Sequence, residues 1–291
     1  MIGDAASFCK GDETMKRGTG AWWLVLAALL CSTGGVCIKL VPWSPLAVNG
    51  GRCAVAAGVT WLFLAAGRRR LRWNITVACG ALSLALTTIF YAFATKLTSA
   101  ACAVLLMYTS PIWVLTVQRL RGQRLEPRQV RAAAGVFLGL VFFVWDGLSA
   151  GRLLGNVLGL CSGVCYAGVF LFGADREGDA ASSSFFGQLI GAAAGLPFLL
   201  LERDFSIVPL GCVVFLGVFQ LGLSYVCMSK GLSKTSAGAA SLITALEPLL
   251  SPVWVALFCG EMPGRAALPG MALVLASVLY AQLGRKNVKS S

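Results

Sequence analysis

Long apolar stretches separated by short polar segments constrain the fold of this 291-residue chain more than any other feature. Charged residues make up only 12% of the sequence, about half the share that is typical of a soluble domain, and the mean hydropathy is +0.79. A membrane-spanning helix needs about 20 apolar residues. The sequence therefore predicts an all-α membrane protein, one bundle of ten transmembrane helices at 21–41, 46–67, 74–95, 98–118, 130–146, 153–173, 181–201, 207–229, 235–259 and 266–283.

The basic residues are distributed unevenly between the two sides of this predicted bundle. If the N-terminus is cytoplasmic, 18 of the 24 Lys and Arg residues fall in inner segments, five fall in outer segments, and Arg52 lies inside a span. Cytoplasmic loops of membrane proteins carry an excess of Lys and Arg. The bias predicts that both termini are cytoplasmic, which requires an even number of helices.

Composition also argues against several classes of function. The net charge is +12, but Lys and Arg are clustered in short segments rather than on one polar face, so we expect lipid and not nucleic acid as the partner. The chain has no His, its 11 Cys show no metal-type spacing, and no phosphate-binding loop is present. We therefore predict no metal, no cofactor and no enzymatic activity.

Two segments within the chain repeat each other. "TSAACAVLLMYTSP" (98–111) and "TSAGAASLITALEP" (235–248) share six identical positions and are offset by 137 residues without a gap. The repeat predicts two five-helix halves flanked by polar tails. The predicted units are a cytoplasmic tail at 1–20, a first repeat at 21–146, a second repeat at 153–283 and a cytoplasmic tail at 284–291.

Five helices per half have a geometric consequence. An odd number of spans forces the second half to lie upside down relative to the first. The loop after the fourth helix, with its Arg residues, is then inside, and the equivalent loop after the ninth is outside. Inverted repeats are typical of secondary transporters, which bind their substrates near the bilayer midplane between the halves. The sequence therefore favours transport by alternating access.

Several segments also carry a family resemblance. They read "RCAVAAG" (52–58), "TSAACAVLLMYTSPIW", "GQRLEPRQ", "TSAGAASLITALEPLLSPVW" and "GEMPGRAALPGMALVLA". With these, nearly the whole chain resembles the EamA-like ten-helix transporters of the drug/metabolite transporter superfamily. One departure is Gln123-Arg124, where a Gly-Glu pair is usual. The resemblance implies export of amino acids, related metabolites or drugs. The substrate class of one family member transfers poorly to another.

Glu247 is the leading candidate for a substrate or coupling residue. It lies roughly 18 Å from either end of its span at a rise of 1.5 Å per residue, where a charge costs about 2.5–3.5 kcal/mol on insertion scales. The carboxyl can pair with a cationic substrate group or bind and release a proton. Alternatively, it has a structural role, in which it bonds backbone groups freed by Pro248 or pairs with Arg52 or Lys39.

Prolines inside the predicted spans indicate bends. Pro111 and Pro248 occupy equivalent positions of the repeat, and Pro252 follows in the ninth helix. A proline removes one backbone hydrogen bond and clashes with the preceding turn, so the helix kinks. Kinks near the midplane make room for a cavity, although they also serve simple curvature.

Further candidates for the site are polar or aromatic residues within the spans. Tyr combines an apolar face with a hydroxyl, which suits amphiphilic solutes and cation–π contacts. Core packing is the alternative for each of them, and structural pairing is the alternative for the buried Arg. These candidates are Tyr91, Tyr108, Tyr166, Tyr225 and Arg52.

The sequence thus predicts a secondary active transporter that exports small metabolites across a bacterial inner membrane, with protons as a candidate coupling ion. The alternatives are an uncoupled facilitator or channel for small solutes and an importer of a cationic metabolite. The partners expected are a small-molecule substrate and the lipid bilayer, and the protein is either a monomer or a homodimer. Met15, followed by Lys16 and Arg17, is an alternative start to Met1.

Overall fold

The computed structural model of the chain describes residues 20–34, 37–38, 41–98, 100–123, 125–144, 153–203, 205–250 and 267–283. Most of the predicted N-terminal tail, the whole predicted C-terminal tail, Met15, Lys39 and Pro252 lie outside these residues. The described part of the chain is entirely helical apart from turns and loops. This agrees with the predicted all-α fold class.

Ten helical segments follow one another in the described residues, one for each predicted span. We number them α1 to α10. They are α1 (Gly20–Cys31), α2 (Pro45–Ala66), α3 (Ile75–Leu97), α4 (Ala100–Met107 and Ser110–Leu120), α5 (Pro127–Val144), α6 (Leu153–Gly173), α7 (Ala180–Leu199), α8 (Ile207–Leu232), α9 (Ala237–Leu250) and α10 (Ala267–Leu283).

The helix bounds differ from the predicted spans mainly in the first helix. The sequence predicts it over 21–41, but the α-helix is interrupted after Cys31, where Ser32 and Thr33 form a turn before helical residues resume at Gly34. Both hydroxyls donate to carbonyls three residues back, Ser32 to Leu29 (2.7 Å) and Thr33 to Leu30 (2.8 Å). Such local bonds compete with the helical ladder, and hydropathy alone does not register them.

The outer surface of the bundle is apolar. Large exposed side chains on these helices include Leu62, Leu82 and Phe142. Five helices, α2, α3, α4, α6 and α8, are long and apolar enough to cross a membrane. A soluble monomer rarely exposes so large an apolar surface, so this surface is the lipid-facing side of a multi-pass membrane protein.

Contacts between the halves show how the two repeats are related. The second helices of the two halves pack on each other (α2 on α7), and so do the two fifth helices (α5 on α10). Residue numbers rise along α2 while they fall along α7, because Gly50 meets Gly195 and Thr60 meets Gln188. Equivalent helices therefore run antiparallel, which is the inverted arrangement that five helices per half predict.

The remaining inter-half contacts follow the same two-fold relation. The third helix of the first half packs on the first helix of the second (α3 on α6). Its counterpart is the contact of α1 with α8, where Leu24 meets Gly231 and the Cys31 thiol donates to the Gln220 carbonyl. The two halves thus interlock around an axis through the centre of the bundle.

One end of the bundle is rich in arginine. The turn after α2 carries Arg68, Arg69, Arg70 and Arg72, and Arg176 lies in the loop between α6 and α7. We call this the arginine-rich end. It corresponds to the side that the charge bias predicts to be cytoplasmic.

Glycine allows a close backbone approach between the halves at the crossing of α2 and α7. A Cβ atom added at Gly195 would lie 2.3 Å from the Leu46 carbonyl oxygen and 2.4 Å from the Gly50 Cα atom. Real Cβ atoms do not come this close to non-bonded atoms, so the two backbones touch only because Gly50 and Gly195 have no side chain.

We expect Gly195→Ala to lower the free energy of unfolding by about 1–3 kcal/mol, because the new methyl group must push α2 and α7 apart. Thermal unfolding of the detergent-purified protein measures this change. The matched control is Gly58→Ala, also in a helix of this pair, where an added Cβ meets nothing within 4 Å. Equal melting temperatures for the two variants would contradict the close crossing.

Candidate functional site

Helices α4 and α9 are interrupted at equivalent positions of the repeat. The turn in α4 is at Tyr108 and Thr109, just before Pro111, and the turn in α9 is at Ala245 and Leu246, just before Pro248. The same backbone hydrogen bond, to the carbonyl three residues back, marks both turns. In α4, Thr109 N donates to Leu106 O (3.2 Å), and in α9, Leu246 N donates to Ile243 O (3.1 Å). The helical ladder is thus interrupted just before each of these two prolines, whereas kinks at the prolines stay a prediction.

The two breaks bring Tyr108 and Glu247 together. The Tyr108 hydroxyl donates a hydrogen bond to Glu247 Oε2, and both side chains are buried, at 1% and 4% exposure. The Tyr166 ring lies edge-on to the Tyr108 ring, with 5.9 Å between the ring centroids. The most deeply placed carboxyl of the described chain is therefore held by a phenol from the opposite half.

Arg52 is the second charged group in this region, and it is 1% exposed. Its guanidinium donates to Asn49 Oδ1 (3.0 and 3.3 Å), to the Thr88 carbonyl (3.0 Å) and to Gln220 Oε1 (3.3 Å). These acceptors are all neutral. Among the described residues, no carboxylate lies within ion-pair distance of Arg52, so the predicted pairing with Glu247 is absent from this structure.

A π-helical segment places Gln220 beside Arg52. Helix α8 is α-helical over Ile207–Phe215, π-helical over Leu216–Leu223 and α-helical again over Ser224–Leu232. Two backbone carbonyls of this segment accept hydrogen bonds from side chains. Ser224 Oγ donates to the Gln220 carbonyl, and Gln188 Nε2 donates to the Leu221 carbonyl (3.3 Å). Such segments are frequent at functional sites.

Arg52 and Glu247 both line one small cavity at the centre of the bundle. Its volume is about 30 Å³, enough to hold a water molecule. Both halves contribute to its wall. We call it the central cavity, and its lining residues are Cys31, Arg52, Thr87, Thr88, Tyr91, Met107, Tyr166, Gln220, Leu221, Tyr225 and Glu247.

The structure brings together all six residues that the sequence singled out for the site. Five line the central cavity, and the sixth, Tyr108, contacts it through Glu247. Tyr91 also lies against Arg52, with 5.8 Å from the guanidinium carbon to the ring centroid. Their proximity is a structural fact, whereas their role in binding or coupling stays a prediction.

Sequence reasoning missed the neutral polar partners of Arg52. Asn49 and Gln220 are buried amides inside apolar spans, and a buried amide is itself a signal because it needs hydrogen-bond partners. Gln188 carries the same signal, and its Oε1 accepts from Thr60 Oγ1 (2.8 Å). Met107, Thr87 and Thr88 resemble ordinary packing residues and carry no such signal.

The chemistry available to the cavity is recognition of charge. Four of the five guanidinium N–H donors of Arg52 are engaged by described residues, and one N–H on Nη1 remains for an anionic group. Glu247 offers a carboxyl for a cationic group or a proton. Tyrosine rings between them provide apolar contact area.

Three of the matches with known proteins bear on the family and the fold of this chain. The model of the EamA-like transporter family matches residues 18–145 and 153–281, once in each half. A protein from Archaeoglobus fulgidus named "Uncharacterized transporter" is 30% identical over 199 residues, which cover 67% of this chain and 72% of that protein. A crystal structure with 21% identity superposes with a TM-score of 0.78 over 93% of this chain and 99% of its own, which supports the fold.

We expect Tyr108→Phe to lower the free energy of unfolding by about 1–3 kcal/mol, because the buried Glu247 carboxyl loses its hydrogen-bond donor. Thermal unfolding in detergent tests this. The control is Tyr225→Phe, since the Tyr225 hydroxyl makes no hydrogen bond to a described residue, and its melting temperature should stay near that of the wild type. An equal loss of stability in both variants would show that the Tyr108–Glu247 bond is not the cause.

Proposed function

Because the chain belongs to the EamA-like transporter family, we propose that it is a secondary active transporter that binds its solute in the central cavity and exports it by alternating access. Its family is one of transporters and not of enzymes. The observation that carries the proposal is that Arg52 and Glu247 line one cavity at the centre of two inverted halves.

The charges of the cavity point to a class of solute. A guanidinium without an acidic partner in the described chain favours a carboxylate or another anionic group. The Glu247 carboxyl favours an amino group, and the tyrosine rings favour apolar substituents or cations placed over them. Amino acids and related small metabolites carry this combination of groups.

The small volume of the cavity supports a transport cycle in which the halves move. At about 30 Å³, the cavity is far below the roughly 300 Å³ of an ordinary ligand site. Binding a metabolite therefore requires the halves to separate at least locally. Rocking of one half against the other is the usual way in which inverted repeats open their central site.

Contacts close the bundle at the end opposite the arginine-rich end. The backbone N–H of Ser44 donates to Glu202 Oε1 (2.8 Å), and the Trp43 and Phe205 rings pack edge to face with 5.4 Å between the centroids. Both contacts join the first half to the second. Opening toward this side must break them, so they are well placed to control the release of an exported solute.

Glu247 also supports coupling to protons. Its carboxyl lies between the halves, and its partner Tyr108 belongs to the opposite half. A proton on Glu247 removes the charge that an amino group of the solute would contact, so proton and solute compete for one site. Exchange of this kind drives export when protons enter as solute leaves.

The setting that we propose is a bacterial inner membrane with both termini in the cytoplasm. The arginine-rich end then faces the cytoplasm, as the excess of basic residues on that side favours. The unit that transports is a monomer or a homodimer, and in either case each chain carries its own central cavity.

Binding can be tested before the solute is identified. A thermal-shift screen of the purified protein against amino acids, nucleosides, quaternary amines and dyes reports ligands that stabilise the folded state. We expect stabilisation by solutes that carry an anionic group and loss of that stabilisation in Arg52→Gln. A ligand that stabilises the wild type and Arg52→Gln equally would contradict binding at this cavity.

We expect Glu247→Gln to abolish transport driven by a pH gradient, because an amide cannot bind and release a proton. Uptake of the ligand found by screening into proteoliposomes, with and without a pH gradient, measures this. The control is Glu177→Gln, in the exposed loop between α6 and α7, which should retain full uptake. If Glu247→Gln and the wild type show the same flux under a pH gradient, Glu247 does not couple transport to protons. If the wild type shows the same flux with and without a pH gradient, the protein is an uncoupled facilitator.

A further inference from the structure

A second, larger cavity lies at the arginine-rich end. Its volume is about 320 Å³, and its wall is polar. Arg69 comes from the turn after α2, Asp175 and Arg176 from the loop between α6 and α7, and Ser229 from the end of α8. We call it the vestibule. Unlike the central cavity, it is large enough for a small metabolite in the structure as it stands.

A narrow cavity continues from the vestibule toward the centre of the bundle. Its volume is about 10 Å³, near the lower limit for a single water molecule. It shares Ala180, Ser229 and Leu232 with the vestibule. The two cavities are therefore adjoining spaces along the same seam between helices.

The narrow cavity leads on to the central cavity along three helices. Leu84 in α3 lies one turn before Thr88, Val169 in α6 lies one turn after Tyr166, and Met228 in α8 lies one turn after Tyr225. A helical turn of three or four residues spans about 5–6 Å. On each helix, the residue of the narrow cavity is thus separated from the central cavity by a single turn.

Neighbouring contacts close the adjacent seam at this end. The Lys230 ammonium lies over the Trp23 ring (4.3 Å to the centroid) and over the Phe63 ring (4.9 Å). These contacts tie α8 to α1 and α2. The seam lined by α3, α6, α7 and α8 instead has small residues and serine hydroxyls along it, with Gly80 and Ser183 among its walls.

We propose that these three spaces form the path between the central cavity and the arginine-rich end, and that Leu84, Val169 and Met228 form its constriction. This inference rests on the proposed transport function and assigns the route within it. The vestibule is the first docking place for the solute. Its guanidinium and carboxylate groups match a small solute that carries charges of both signs.

The side chains at the constriction suit a gate. Leu84 and Met228 are 1% exposed, and Val169 is 7% exposed, so they separate the vestibule from the central cavity with apolar surface. Met is unbranched and flexible and can change rotamer without a large rearrangement. Opening requires these three side chains to part, while the charged residues on either side keep their positions.

Thiol accessibility tests the route whichever solute is transported. Met228→Cys is treated with a membrane-impermeant cationic methanethiosulfonate from the arginine-rich side, and mass spectrometry locates the adduct among the native cysteines. The control is Val226→Cys, which is also buried in α8 but does not line the path. We expect modification at position 228 at least tenfold faster than at 226. Equal rates at both positions, including no reaction at either, would overturn the route.

A bulky side chain at the constriction tests the route separately from the proposed transport function. We expect Met228→Trp to lose at least 90% of flux while the screened ligand still stabilises the protein, because the central cavity stays intact. The control is Leu82→Trp, on the lipid-facing side of α3. Full flux in Met228→Trp would overturn the route, whereas a wild-type protein that moves no ligand would overturn the proposed function and leave the accessibility result standing.

Discussion

The structure depends on the burial of charge inside a membrane-spanning bundle. Arg52 and Glu247 are both almost fully buried, and each charge removed from water costs several kcal/mol unless neighbouring groups compensate. Neutral groups provide that compensation. Arg52 donates to Asn49, Gln220 and the Thr88 carbonyl. Glu247 accepts from Tyr108. Because separate neutral groups bond the two side chains, the guanidinium and the carboxyl do not pair with each other.

Inverted repetition explains why these groups meet. Equivalent helices run antiparallel across the interface between the halves, so the breaks in α4 and α9 face each other at the same depth. The break in α4 contributes the phenol and the break in α9 contributes the carboxyl. Ser110 occupies the position of the first repeat that corresponds to Glu247 in the second. The site is therefore asymmetric in charge although the interruptions that build it lie at equivalent positions of the repeat.

Much of this arrangement could be predicted from the sequence. Hydropathy predicted the ten helical segments, the repeat at 98–111 and 235–248 predicted where the two interruptions fall, and rare polar residues in apolar spans singled out Arg52, Glu247 and the tyrosines, which the structure places close together. What the sequence did not reveal depends on helix geometry. The π-helical segment has no composition signal, yet it sets which face of α8 carries Gln220. The turn at Ser32 and Thr33 that interrupts the first predicted span likewise gives no signal in apolar length.

The central claim is that the transported solute occupies the cavity between Arg52 and Glu247. Its most direct test is an electron cryomicroscopy map of the full chain, in a lipid nanodisc, bound to the ligand that stabilises it. We predict ligand density in contact with the Arg52 guanidinium and within hydrogen-bond distance of the Glu247 carboxyl. The cavity that holds it should exceed the present volume of about 30 Å³. Ligand density elsewhere, with the central cavity still closed around these two residues, would contradict the account.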